Sequence, residues 1–163
     1  MKLQTRLAVL VCKASGAVLR KLGRGGTNLP GKLALKIDKN ILGELSRGVK
    51  VTVVTGTNGK TTTCNYLNDI FKAAGHKTAM FTTAVIEVAG ERRINDLNAT
   101  VATTEQMQRF FRDAKNAHVD YVILEITSHT LVQFKLEGVP IEAAVMTNLT
   151  QDHLDYHHTM EEY

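Results

Sequence analysis

Lys60 and Thr61 follow a turn bracketed by two glycines, Gly56-Thr57-Asn58-Gly59, and residue types in that order hold phosphate. Glycine lets the backbone approach an anion without a Cβ in the way. A lysine there reaches the β- and γ-phosphates as a point charge, and a threonine hydroxyl ligates Mg²⁺. The spacing is G-x-x-G-K-T, shorter than the common G-x-x-x-x-G-K-[ST] loop, because Val54 occupies the position of the first glycine. The competing reading is a plain glycine turn before a helix. Lys60-Thr61 and the apolar run ahead of the loop argue against it. A second candidate is Glu125, inside the apolar run Tyr121-Val-Ile-Leu-Glu-Ile126. An unpaired carboxylate is costly there. Either a divalent cation or a basic residue in the core would resolve that cost. A third cluster, Asp152, His153, Asp155, His157 and His158, gathers carboxylates and imidazoles after residue 147. On its own it is as consistent with a solvated polar loop as with a metal site.

These residues need strands to end beneath them and a helix to begin at Lys60. Val51 to Val54 is a β-branched run that reads as a buried strand. Lys60 to Ala74 reads as a helix closed by Gly75, with Tyr66, Leu67, Ile70, Phe71 and Ala74 on its buried face. Strand, glycine loop and helix N-terminus together make an anion site, since unpaired N–H groups and the positive end of the helix dipole converge there. Lys77 to Thr82 is a second strand, and Val85 to Ile94 reads as a hairpin around Ala89-Gly90. Thr103 or Thr104 caps a helix running through His118, with Met107, Phe110, Phe111 and Ala114 inward. Asp120 to Ile126 is a third buried strand, Thr130 to Glu137 a short helix stopped by Gly138, and Ile141 to Thr147 a fourth strand. Strands alternating with helices predict an α/β fold with a doubly wound, mostly parallel sheet and ligands at the carboxyl ends of its strands.

Three stretches carry a family resemblance. Thr55-Gly-Thr-Asn-Gly-Lys-Thr-Thr62, Glu125-Ile-Thr-Ser-His129 and Thr147-Asn-Leu-Thr-Gln-Asp-His-Leu-Asp-Tyr-His157 resemble, in that order, the ATP-binding central domain of the Mur ligases, which are related to the folylpolyglutamate synthetases. The resemblance runs from about Val49 to Tyr163. It is nearest to the ligases that add the third residue to UDP-MurNAc-Ala-Glu. It implies a P-loop-type central domain over 49–163, incomplete at its C-terminal side, after a basic helical segment over 1–48. It implies that Gly56, Thr57, Asn58, Gly59, Lys60, Thr61, Thr62 and Asn148 hold ATP. It implies that Thr61 and Glu125 hold one Mg²⁺, with His153 on a second, and that Lys60, Glu125 and His153 are the catalytic residues. Thr103 and Thr104 match a pair that grips the muramyl peptide in the third-residue ligases. Thr127, Gln133 and Lys135 match a Ser…Gln-x-Arg set with Thr for Ser and Lys for Arg; Lys keeps the charge but loses the bidentate fork. The implied activity is ATP-dependent amide ligation through an acyl phosphate, in peptidoglycan precursor synthesis. The implied substrates are an amino acid and a UDP-MurNAc-peptide or a lipid-linked muramyl peptide.

Alternatives stand beside this reading. The stretch Arg24-Gly-Gly…Leu29-Pro-Gly-Lys…Ala34-Leu-Lys-Ile37 is similar to the lead-in of the lipid II-amidating ligase subunit, although the four-cysteine zinc insertion of that subunit has no counterpart among Cys12 and Cys64. The other alternative is a non-catalytic ATP-binding fragment. The family's carbamylated lysine and amino-acid-binding domain lie beyond Tyr163, so the chain reads as a truncated gene product, a fragment, or one piece of a split enzyme. In the last case a partner chain supplies the rest.

The chain has 163 residues, 44% hydrophobic and 22% charged, the composition of a globular domain with a sizeable core. Two distant cysteines without metal-ligand spacing read as unpaired thiols in a reducing cytosol, and no small-residue cleavage site follows the N-terminal apolar run, which places the protein in the cytoplasm. The net charge of +4 divides unevenly: residues 1–50 hold 11 Lys/Arg and 2 Asp/Glu, the remainder 9 and 14. The basic character therefore belongs to the N-terminal third. There Leu3, Leu7, Leu10/Val11, Ala14, Ala17/Val18 and Leu22 recur at helical spacing, with Lys2, Arg6, Lys13, Arg20 and Lys21 largely off the stripe. The favoured expectation is that this stripe packs on the main domain. The other use is contact with an anionic membrane surface. Five Phe, four Tyr and no Trp argue against a nucleic-acid stacking platform. Gly23 to Gly31 reads as the turn that ends the segment's first helix, Lys32 to Ile37 as a short apolar segment, and Asp38 as the cap of a helix over Lys39 to Ser46.

Overall fold

The computed structural model describes residues 2–22, 29–95, 102–151 and 158–160. Its core is a six-stranded sheet in the order β4-β3-β2-β5-β1-β6. The strands are β1 (Lys50–Thr55), β2 (Thr78–Phe81), β3 (Val85–Val88), β4 (Glu91–Ile94), β5 (Tyr121–Glu125) and β6 (Ile141–Met146). β1 pairs in parallel with β5 and β6, and β2 pairs in parallel with β5. β3 and β4 add an antiparallel hairpin at one edge. The β-branched run 51–54 forms the inner strand because both of its faces are covered, as a parallel sheet requires.

Helices lie on both faces. On one face α4 (Lys60–Ala73) closes a small core of Cys64, Val54, Met80 and Ile123. On the other, α5 (Thr104–Asn116) inserts Met107, Phe110, Phe111 and Ala114, the residues its spacing predicts. α1 (Leu3–Lys21), α2 (Leu29–Ile37) and α3 (Ile41–Ser46) add Ala8, Cys12, Ala34, Ile41, Leu42 and Leu45 to that same core. α6 (Ser128–Val132) follows β5.

The structure changes several expected details. Leu29, Pro30 and Gly31 belong to α2 rather than to a turn, and the apolar segment 32–37 is the rest of that helix; Pro30 is tolerated because it sits in the first turn, where its missing N–H has no helical acceptor. Asn40, not Asp38, is the N-cap of α3, and Asp38 accepts the Asn40 N–H (3.0 Å) and the Thr5 hydroxyl (2.6 Å), tying α1 to the start of α3. α6 spans Ser128–Val132 instead of 130–137, because Thr127 and Thr130 form a capping box that starts the helix early. On α4, Tyr66 and Ile70 are more than half exposed and Ala74 is exposed, while Asn68 is buried with Cys64. Asn68 is held inside by polar partners: it accepts the Thr78 hydroxyl (2.6 Å) and donates to Glu87.

The largest departure concerns α1. Its buried face is Thr5, Ala8, Cys12 and Gly16. The leucine stripe expected to pack on the domain points to solvent, with Leu3, Leu7, Leu10, Val18 and Leu22 all more than half exposed. Small residues let α1 lie close to its neighbours. A Cβ at Gly16 would come within 2.9 Å of the Glu105 carboxylate on α5.

Candidate functional site

The loop between β1 and α4 turns on its two glycines. Gly59 is the N-cap of α4 in the left-handed region (φ 82°), and Gly56 has φ 124°. A Cβ on Gly56 would stand 2.3 Å from Thr147 Oγ1 and 2.8 Å from the Asn148 carbonyl oxygen, so no other residue fits this approach. The segment after β6 supports the loop from below. The Thr147 hydroxyl donates to the Asn58 carbonyl (2.6 Å), the Asn58 N–H donates to Asn148 Oδ1 (2.9 Å), and the Thr57 N–H donates to the Asn148 carbonyl (3.2 Å). Thr57 and Thr150 exchange two further hydrogen bonds of 3.1 Å. The loop is thus shaped by residues some 90 positions away, which β1–β6 pairing brings alongside.

Lys60 bends back over the loop, donating to the carbonyls of Gly56 (2.7 Å) and Thr57 (2.8 Å). An ammonium has three protons, so one remains beyond those given to these two carbonyls. The first N–H groups of α4 have no intrahelical acceptor. Thr61, one residue into the helix, donates its hydroxyl to Glu125 Oε2 (2.9 Å) at the carboxyl end of β5. Thr83, after β2, gives Glu125 its N–H (3.0 Å) and its hydroxyl (3.3 Å). The loop, Thr61, Thr83 and Glu125 therefore lie at the carboxyl ends of β1, β2 and β5, where an open α/β sheet binds ligands.

A second carboxylate shows what is unusual about Glu125. Glu87 on β3 is 2% exposed and is neutralised by Lys72 and by Arg92 (3.7 Å). Among the described residues Glu125 has no ion-pair partner; its donors are neutral hydroxyls and an amide. With the Thr61 hydroxyl beside it, the site offers hard oxygen ligands, the donor set a Mg²⁺ takes. The described residues hold no cluster of three or more His, Cys, Asp and Glu. His153, with Asp152, Asp155 and His157, lies outside the described residues; His158 is described, at positive φ (63°).

The expected substrate residues are distributed differently. Lys135 lines a cavity of about 20 Å³ together with Glu125, Thr83 and Thr130. Burial holds its ammonium below the ordinary lysine range. Thr103 is the N-cap of α5, accepting the Gln106 N–H in a capping box, with Thr104 the first helical residue. Thr127 is the N-cap of α6 and Gln133 its C-cap. Of this set only Lys135 lines the cavity beside Glu125, and Thr103 and Thr127 already have structural duties. Sequence reasoning missed Thr83 and Thr147. The placement of Thr83 just past β2 was the available signal for the first; Thr147 opens the stretch Thr147 to His157 that carries the resemblance, but nothing local marks its contact with the loop.

The sequence matches the description "Mur ligase middle domain" over residues 54–163. The UDP-N-acetylmuramoyl-L-alanyl-D-glutamate–2,6-diaminopimelate ligase of Bacillus velezensis is 39% identical over 121 residues, covering 74% of this chain and 24% of that protein. The chain thus spans about a quarter of the length of that curated relative. A solved structure of a ligase of the same name superimposes with a TM-score of 0.63 at 28% identity, covering 82% of this chain and 25% of the other. Escherichia coli FolC, solved with DHPP and ADP, shares the fold alone, with a TM-score of 0.57 at 23% identity over 74% of this chain and 34% of its own.

Proposed function

The chain belongs to the Mur ligase family, through the middle domain of that family, and from that premise we propose that it is the nucleotide-binding part of an ATP-dependent ligase that joins an amino acid to a UDP-MurNAc-peptide. The observation that carries this reading is the contrast between Glu87, neutralised by two cations, and Glu125, aimed with Thr61 at the mouth of the glycine loop. A carboxylate with no basic partner among the described residues, at the carboxyl end of a parallel strand, suits a site that receives its positive charge from outside the chain.

A carboxylate is a poor acyl donor until it is phosphorylated, and phosphoryl transfer is mostly positioning and electrostatic stabilisation. Gly56, Thr57, Asn58 and Gly59 would wrap the phosphates with backbone N–H groups. Lys60 would present its third proton to the transferring phosphoryl group. Thr62 would extend the cradle into the first turn of α4, and Asn148 holds the loop at Asn58. Thr61 and Glu125 would hold Mg²⁺, which when bound neutralises charge on the β- and γ-phosphates; His153 is assigned to a second ion. Thr103, Thr104, Thr127, Gln133 and Lys135 would contact the muramyl peptide, Lys135 with a single charge in place of a fork. The proposed domain division keeps 49–163 as the ATP-binding unit and 1–48 as a helical lead-in docked on α5.

Calorimetry of Mg-ATP with the chain, beside Lys60→Ala, tests the reading. The variant is expected to bind about ten- to a hundredfold more weakly, the loss of one charge-assisted contact. Equal binding by both proteins would remove Lys60 from the phosphate site.

A further inference from the structure

α1 lies outside the matched middle domain and carries an unusual surface. Its small-residue face is locked inward by the Thr5–Asp38 hydrogen bond, the Lys2–Glu44 ion pair (3.0 Å) and the close approach of Gly16 to α5. That docking fixes the opposite face toward solvent. There Leu3 is 83% exposed, Leu7 52%, Leu10 62%, Val18 57% and Leu22 67%. With exposed Ala14 filling the gap between Leu10 and Val18, they follow three- to four-residue spacing and line one side of the helix. The larger side chains are outside and the smaller ones inside, the reverse of what burial in this domain favours.

The charge beside the stripe selects its occupant. Residues 1–37 contain Lys2, Arg6, Lys13, Arg20, Lys21, Arg24, Lys32 and Lys36 and no Asp or Glu. By helical spacing Lys2, Arg6, Lys13 and Arg20 fall along one border of the stripe. Lys2 and Arg20 reach Glu44 and Glu105, whereas Arg6, Lys13 and Lys21 have no ion-pair partner among the described residues. A helix–helix seam between two copies would set these cations against one another without the acidic partners that flank a self-pairing seam. A negatively charged lipid surface meets both features at once: apolar chains take the leucines and anionic headgroups take the basic border. No described helix is long and apolar enough to cross a membrane, so the contact is one of lying on the surface.

We infer that α1 is an interfacial membrane-binding helix that seats this domain on anionic lipid through Leu3, Leu7, Leu10, Val18 and Leu22. The test is co-sedimentation of the full chain with phosphatidylglycerol–phosphatidylcholine vesicles and with pure phosphatidylcholine vesicles. The chain is expected to pellet with the anionic vesicles, less so with neutral ones, and to be released at about 1 M salt, where the Debye length is about 3 Å. Arg6→Glu/Lys13→Glu is expected to lower partitioning about thirtyfold or more, from the loss of two surface cations. Leu7→Ser/Leu10→Ser is expected to lower it at least about tenfold. Both pairs are exposed, so circular dichroism and Mg-ATP calorimetry should match the parent chain, which keeps this test separate from that of the phosphate site. Three results would overturn the inference: no pelleting of the folded chain at low salt, pelleting that ignores the leucine changes, or a leucine-dependent dimer in analytical ultracentrifugation without lipid.

Discussion

Cys64 lies in the second turn of α4, fully buried, and its thiol is pushed up to about 12, first by burial and then by the negative charge of Glu125. Cys12 is raised in the same direction, again chiefly by burial. Only the thiolate is a nucleophile, so at pH 8 native Cys64 should alkylate roughly a thousandfold more slowly than a free thiol of pKa about 8.5. Iodoacetamide labelling followed by peptide mass spectrometry should find Cys64 unmodified in the native chain and labelled after unfolding; rapid native labelling would contradict its burial. Burial of the Cys64 thiol also makes stability depend on pH. The folded pKa is raised, so this contribution is complete below the thiol pKa of the unfolded chain and is lost as pH rises toward 12. At this scale the residue types were legible: Gly56, Gly59, Lys60, Thr61 and Glu125 could be picked out by chemistry and spacing. Their partners were not. Thr147, which forces glycine at position 56, and Thr83, which gives Glu125 two hydrogen bonds, are ordinary threonines until the strands pair.

Among the elements, α3 shows how the lead-in is attached. Glu44 is 2% exposed and takes Lys2 of α1 (3.0 Å) and Arg47 (2.9 Å), while its carbonyl accepts from Lys115 of α5 (2.6 Å). The hydrogen bond from Lys2, with the charge of Arg47 adding to it, holds the Glu44 carboxyl below the usual glutamate range. A depressed folded pKa stabilises above the unfolded value, about 4.3, and that stability is lost as pH falls through the folded pKa. Glu44→Gln should therefore flatten the acid side of the stability profile. Urea midpoints of parent and variant, compared between about pH 3 and 6, should converge toward the acid end. A constant offset across that range would mean that Glu44 acts through packing alone. Helix positions were readable from apolar spacing for α1, α4 and α5. Which face turned inward was readable only for α5, whose Met107, Phe110 and Phe111 leave no competing stripe. For α1 the apolar stripe and the buried face are different sides of the helix. Periodicity reports where apolar residues gather, and close approach to a neighbour selects small ones.

Across the whole molecule the sheet is closed unequally. At one edge the antiparallel hairpin β3–β4 carries the charged strand Glu91-Arg92-Arg93-Ile94, a protected edge. At the other, β6 is exposed along nearly its whole length, with Ile141 and Met146 among the large exposed apolar residues, and Tyr66 and Ile70 are likewise uncovered on α4. A parallel strand open on both faces is a template for further pairing. The chain is therefore expected to self-associate at rising concentration. Ala143→Lys on β6 should reduce that association without lowering the melting temperature by more than a degree or two, since Ala143 is exposed. Light scattering over a dilution series checks it; unchanged association in the variant would move the sticky surface away from β6.

The family, the α/β fold and the glycine loop that enters α4 could all be read from the amino-acid sequence, because each rests on local order: β-branched strands, a glycine turn entering a helix, and motifs of a few contiguous residues. The tertiary structure decided what depends on distance. It decided that a segment 90 residues away props the loop, that Glu125 is satisfied by neutral donors while Glu87 is neutralised by cations, and that the leucines of α1 face outward. The physical reason is the same in each case. A side chain's type fixes what it can bond to, and only the packed chain fixes what stands beside it.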